Sequence, residues 1–232
     1  MRRTFIALFC LLLATLSPPA SATNFSFSGI FHNDDDAERF DFTINRDAAI
    51  TLRSYSYGGG TNAMGRLIKA GGFDAILSVF DLSTGQEVKH QDDSSETTPD
   101  PITGAYFDVN LPLNLGPGRY TAYVSQFDNF AGSALGNFRN AGQHSFTADH
   151  CPGKNAVPGG AGYFCDVHNA QRTGEWAFDI LGVDKATDTG TIFSAAVPEP
   201  STWLLMVSGF VVIGTVMRRR ARPAAETRPQ LL

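Results

Sequence analysis

Long apolar runs are missing from the middle of this 232-residue chain; the two it has lie at its ends. Sustained helical periodicity is missing as well, so residues 23–197 are not expected to form amphipathic helices. The common catalytic and nucleotide-binding patterns are absent: there is no G-x-S-x-G elbow, no H-E-x-x-H and no G-x-x-x-x-G-K-[ST]. Asp92 and Asp93 are adjacent, and neighbours on a strand face opposite ways, which makes them a poor acid/base pair for glycoside hydrolysis. No catalytic residue is assigned, the chain is expected not to be an enzyme, and a secreted hydrolase is the least favoured reading. Basic residues are scarce between the ends. Setting aside the seven terminal arginines and Glu226 leaves 11 basic against 22 acidic residues, a charge of −11. Such a surface excludes nucleic acid as the expected partner.

What is present at the ends is directional. Arg2 and Arg3 precede an apolar run over residues 5–16, and Ala20-Ser21-Ala22 follows as a small-x-small site. This is the layout of a secretory signal peptide, residues 1–22, removed by signal peptidase to leave Thr23 first. Near the other end, residues 194–200 form a linker with Pro198-Glu199-Pro200, and residues 201–217 are uncharged. Residues 202–217 would span roughly 24 Å as a helix, a little short of a bilayer core of about 30 Å, which snorkelling arginine stems can complete. Arg218, Arg219, Arg220 and Arg222 open the tail 218–232. Positive flanks stay cytoplasmic, so the intervening domain is expected outside the inner membrane, facing the periplasm. Residues 197–203, the apolar span and the arginine end together resemble the PEP-CTERM protein-sorting domain. That resemblance implies that exosortase recognises the tail, with Pro198, Glu199 and Pro200 as recognition residues. Processing would then release the chain to the cell surface or beyond it.

Three cysteines become two once Cys10 leaves with the signal peptide. Cys151 and Cys165 are then an even pair in an oxidising compartment, which favours a disulfide. Zinc is the alternative, since His150 and His168 flank the pair.

Period-two alternation carries the fold prediction. It runs through Phe25/Phe27, Phe40/Phe42/Ile44, Ile50/Leu52 and residues 73–80, then Phe107/Val109/Leu111/Leu113, Tyr120/Ala122/Val124 and Trp176/Phe178/Ile180. Turns are expected at Ser83-Thr84-Gly85 and Gly116-Pro117-Gly118, and Gly58-Gly59-Gly60 reads as a flexible hairpin end. The pattern predicts an all-β antiparallel sandwich, jelly-roll-like, over residues 23–193. Phe40-Asp41-Phe42, residues 73–80 and residues 116–124 resemble motifs of the bacterial pre-peptidase C-terminal domain over residues 25–126. The chain as a whole resembles the DVUA0089 family of exported proteins, which join that module to a PEP-CTERM tail.

Asp34, Asp36 and Glu38 alternate between two predicted strands and offer hard oxygen donors, with Asp128 and Asn129 as contributors from across the sandwich. Calcium is the one cofactor this suggests; the alternative is an exposed acidic turn. Tyr55, Tyr57, Tyr106, Tyr120 and Tyr123 are either sugar-stacking platforms or packed rings. The expected function is a non-catalytic surface or matrix protein associated with exopolysaccharide or biofilm, with a carbohydrate-binding module as the second reading.

Overall fold

Apolar residues at every second position, interrupted by Gly, Pro and Asp, favour short strands with one face to bury. The computed structural model describes residues 22–151 and 164–192. The predicted signal run, the linker, the hydrophobic segment 201–217 and the arginine tail lie outside these described residues, as does the glycine-rich stretch 152–163. Among the described residues, no helix is long and apolar enough to cross a membrane.

The strands are β1 (Thr23–Ile30), β2 (Ala37–Ile44), β3 (Ala48–Ser54), β4 (Gly60–Thr61), β5 (Leu67–Ile68), β6 (Ala75–Asp81), β7 (Glu87–Gln91), β8 (Asn110–Leu115), β9 (Gly118–Gln126), β10 (Glu175–Val183) and β11 (Lys185–Ile192). One sheet has the order β1-β10-β3-β8 and the other β11-β2-β9-β6-β7, with β4 and β5 forming a small hairpin of their own. Every strand pairing is antiparallel. Without that hairpin and the edge strand β11, the remaining eight strands distribute between the two sheets in the order of a jelly roll. The all-β sandwich expected from the alternation is the architecture observed.

Phe40, Phe42 and Ile44 on β2 share an inward face, while Arg39 and Asp41 on the other face pair at 2.9 Å. The Phe40 ring lies 4.8 Å from Phe27 and 4.9 Å from Phe178, and meets Trp176 edge-on at 5.7 Å. One ring of the five-stranded sheet thus packs among three rings of the four-stranded sheet. Tyr120 faces the same core and donates its hydroxyl hydrogen to the Gly116 carbonyl, which pins the β8–β9 turn.

Strand β6 is buried on both faces, which alternation alone does not predict. Its outer face carries Phe80, edge-on to Tyr123 at 5.8 Å, and Tyr123 in turn meets Phe138 at 5.3 Å. Part of the insertion between β9 and β10 therefore covers the outside of the five-stranded sheet.

The glycine run 58–60 is a packed turn, which corrects its reading as a flexible end. The Gly58 amide donates to the buried Asp108 carboxylate at 2.7 Å. A Cβ at Gly58 would sit 1.9 Å from the Thr98 carbonyl oxygen, and Gly59 adopts φ +70°. Only glycine fits such approaches.

Candidate functional site

Connections at the two ends of the sandwich differ in length. One end has the short links β2–β3, β6–β7, β8–β9 and β10–β11. The other collects the long ones, residues 31–36, 55–74, 92–109 and 127–174, so the side chains free to vary without disturbing the sheets gather there.

Asp34, Asp35 and Asp36 form the β1–β2 turn at this end, and all three are buried. That corrects the expectation of an exposed acidic turn. Asp36 Oδ2 accepts from the His32 and Asn33 amides, both at 2.9 Å. Asp35 accepts from the Gly142 amide at 2.9 Å and lies 3.0 Å from His144 Nδ1. Asp34 Oδ2 accepts from the Thr147 amide at 2.7 Å and its hydroxyl at 2.8 Å. Asn129 does reach this turn from across the sandwich, as a donor to the Asp35 carbonyl at 2.8 Å. Asp128 pairs with Arg139 instead. Glu38 lies in β2 and accepts from the Thr191 hydroxyl of β11. The three predicted calcium ligands therefore serve separate partners, and their carboxylates do not converge as a trio. Burial pushes Asp34 up to about 6, against the Thr147 donors. Burial, then hydrogen bonding to Asp188, pushes Glu38 up to about 7.

Deeper in the same end, the Arg172 side chain is 4 % exposed. Its guanidinium bonds Asp100 at 3.1 Å and Asp166 at 3.2 Å and lies 3.5 Å above the Tyr57 ring. Tyr57 donates its hydroxyl hydrogen to Asp166 at 2.6 Å. Burial alone would raise both carboxyls, but hydrogen bonds outweigh it and hold them below the usual range, from Arg172 and Thr103 on Asp100 and from Tyr57, Ala170 and Arg172 on Asp166. Asp108 accepts from the Ser54 hydroxyl and the Tyr57 and Gly58 amides, yet burial still raises its carboxyl. Tyr55, Tyr57, Tyr120 and Tyr123 are buried and Tyr106 is exposed, so most of the candidate stacking rings are packing.

Cys151 and Cys165 are joined by a disulfide with Cα atoms 5.2 Å apart, which sets aside zinc on these thiols. A bridge spanning about 15 residues removes roughly 3 kcal/mol of unfolded-state freedom.

Three carboxylates do converge: Asp74 before β6, and Asp92 and Asp93 after β7, with ligand oxygens all within 4.8 Å of one another. A groove of about 370 Å³ at the same end is lined by Tyr55, Arg66, Lys69, Glu175 and Trp176 among others. Sequence reasoning missed Asp74, Arg172 and Trp176 as site residues. The β6–β7 register offered the one usable signal, since it sets the start of β6 against the residues that follow Gln91.

Fold and site define a disulfide-closed, all-β domain with its elaborate loops at one end. At the C-terminus the PEP-CTERM protein-sorting motif matches residues 196–221, which include Pro198, Glu199, Pro200, Arg218, Arg219 and Arg220. No curated protein matches the chain. The motif implies an exported protein sorted in an exosortase-dependent way.

Removing the Arg172 guanidinium strands two buried carboxylates. Arg172→Met should cost about 3–5 kcal/mol in urea unfolding, and Asp100→Asn with Asp166→Asn in the same chain should recover part of it. A second expectation concerns pH. Asp34 and Glu38 hold protons more tightly folded than unfolded, so stability in EDTA should fall as pH rises from about 4 towards 7. Asp100 and Asp166 act oppositely: their contribution is present above about pH 4 and is lost as pH falls through their depressed folded values. Urea midpoints should therefore be higher at pH 4.5 than at pH 7.5, and Glu38→Gln should flatten that difference.

Proposed function

We propose that this is a non-catalytic component of the cell surface or extracellular matrix, delivered by exosortase-dependent sorting and associated with exopolysaccharide. The observation that carries the reading is the sorting motif over residues 196–221. An acidic, disulfide-closed sandwich suits an oxidising location outside the inner membrane, where no reductant opens the Cys151–Cys165 bond. The resemblance of residues 25–126 to the pre-peptidase C-terminal module, and of the chain to the DVUA0089 family, adds that the sandwich is an accessory binding unit. In an exosortase-bearing host, replacing Pro198, Glu199 and Pro200 by alanine should retain full-length, signal-cleaved chain in the inner membrane, while the wild type is released or shortened. Identical fractionation of both would reject the sorting reading.

The second reading, carbohydrate recognition, is favoured by the groove beside β10. It brings Tyr55 and Trp176, both largely buried, beside charged Arg66, Lys69 and Glu175. A concave site with a few convergent polar groups suits a sugar, whose hydroxyls both donate and accept. On a glycan array the wild-type chain should show a selective signal that Arg66→Ala with Lys69→Ala abolishes. Equal signals from both proteins would remove the groove from consideration.

A further inference from the structure

Asp74 is buried, Asp92 half-buried and Asp93 exposed, and no donor answers the two inner carboxylates where the three converge. Asp74 is 4 % exposed, its Oδ1 has no hydrogen-bond partner, and Asp92 Oδ1 is likewise buried and unpartnered. Every other buried carboxylate of the loop end described above accepts from an amide, a hydroxyl or Arg172. Like charges this close repel, and a buried anion without donors carries its whole desolvation cost. A dication reverses both effects at once. The donors are all hard oxygens, with neither sulfur nor imidazole in the trio, which suits calcium rather than zinc or copper. Gln126, opposite Ala75 in the β6–β9 ladder, has a buried side-chain oxygen without a partner at the same sheet end. It is a neutral donor of the kind calcium accepts.

We propose that Asp74, Asp92 and Asp93 form a binding site for a divalent cation of the calcium class at the end of the five-stranded sheet. The site ties the segment before β6 to the segment after β7, so cation binding closes the loop end of the sandwich. It is separate from the β1–β2 turn, where Asp34 and Asp36 each leave one buried oxygen without a partner but the other accepts from Thr147 or the turn's own backbone, and Asp35 accepts from the Gly142 amide.

Protons compete for the same oxygens. Burial first, then Asp93 and Asp128, pushes Asp92 up to about 7, with His90 opposing. Burial and Asp108 push Asp93 up to about 6. Burial holds Asp74 well above the usual carboxylate range, with Asp92, Asp93, Asp108 and Asp166 adding to it. Cation binding should therefore be stronger at pH 8 than at pH 5.5.

The test uses the purified, exported full chain stripped with EDTA, with calcium chloride as the probe. Calorimetry should show one calcium ion bound, and thermal unfolding should shift up by roughly 5–10 °C at a hundredfold excess over Kd. Asp74→Asn should weaken binding by about tenfold or more and shrink that shift, while melting no lower than the wild type in EDTA, since it removes an unanswered charge. Asp34→Asn should leave calcium affinity unchanged. The site is overturned if calcium neither binds nor shifts the melt, in which case the cluster holds protons only. It is equally overturned if Asp34→Asn abolishes binding and Asp74→Asn does not.

Discussion

Among the described residues, nine buried acids and one buried base, Arg172, set the terms on which this domain folds. A carboxylate taken out of water needs donors, and a single guanidinium cannot supply nine. Arg172 serves two of them, Asp100 and Asp166, and closes over Tyr57. The others, Asp74 apart, draw on backbone amides, hydroxyls and, at Asp35, His144. Asp108 takes the amides of residues 57 and 58, Asp179 takes the Tyr55 and Ser26 hydroxyls and the Ala63 amide, and Asp34 takes Thr147. Most of these bonds fix a loop to a strand or to another loop, while the bond from Ser26 to Asp179 joins β1 to β10. The acidic composition is thus a set of internal fastenings, and the loop end is held by them rather than by apolar packing alone.

The same logic explains the insertion between β9 and β10. Its described residues, 127–151 and 164–174, pair as strands only in isolated bridges, so their order comes from what they touch. Phe138 covers Tyr123 on the outer sheet face, while Gly142, His144 and Thr147 meet Asp35 and Asp34. Phe164 stacks on Phe73 at 5.6 Å, and Phe73 stacks on Phe31 at 5.1 Å. The insertion completes the burial of β6 and supplies the donors the β1–β2 turn requires. Asp34 and Asp35 of that turn depend on the insertion for donors, while Asp36 is answered by the turn's own amides.

Most of the sandwich was legible because period-two alternation reports one buried face directly. Phe40/Phe42/Ile44 and Tyr120/Ala122/Val124 lie inward in register as neighbours, with Phe40 opposite Ala122 and Phe42 opposite Tyr120. The edge strand β11 escaped notice, since Lys185-Ala186-Thr187-Asp188 has almost no apolar face and gains its order from pairing with β2. The acidic turn was seen, but its burial was not. Alternating carboxylates look the same whether water or Thr147 hydrates them, and Thr147 lies 113 positions away. Arg172 and Asp74 were illegible for a related reason. One sits in an irregular segment and the other just outside a strand, and only the assembled loops bring their partners near. The disulfide was readable because compartment and cysteine parity decide it before geometry does.

The tail and the domain bear on one another through that disulfide. Thr147 precedes Cys151 by four residues, and Phe164 adjoins Cys165, whose amide donates to the Thr147 hydroxyl at 3.4 Å. The covalent bond therefore draws together the residue that satisfies Asp34 and the ring that extends the core past Phe73. In a reducing compartment Cys151 and Cys165 would be unlinked, and the entropy of bringing them together would weigh against both contacts. Export then does more than deliver a finished domain. The sorting motif marks a chain bound for the compartment in which its cysteines join, and that bond brings the donor of a buried acid within reach.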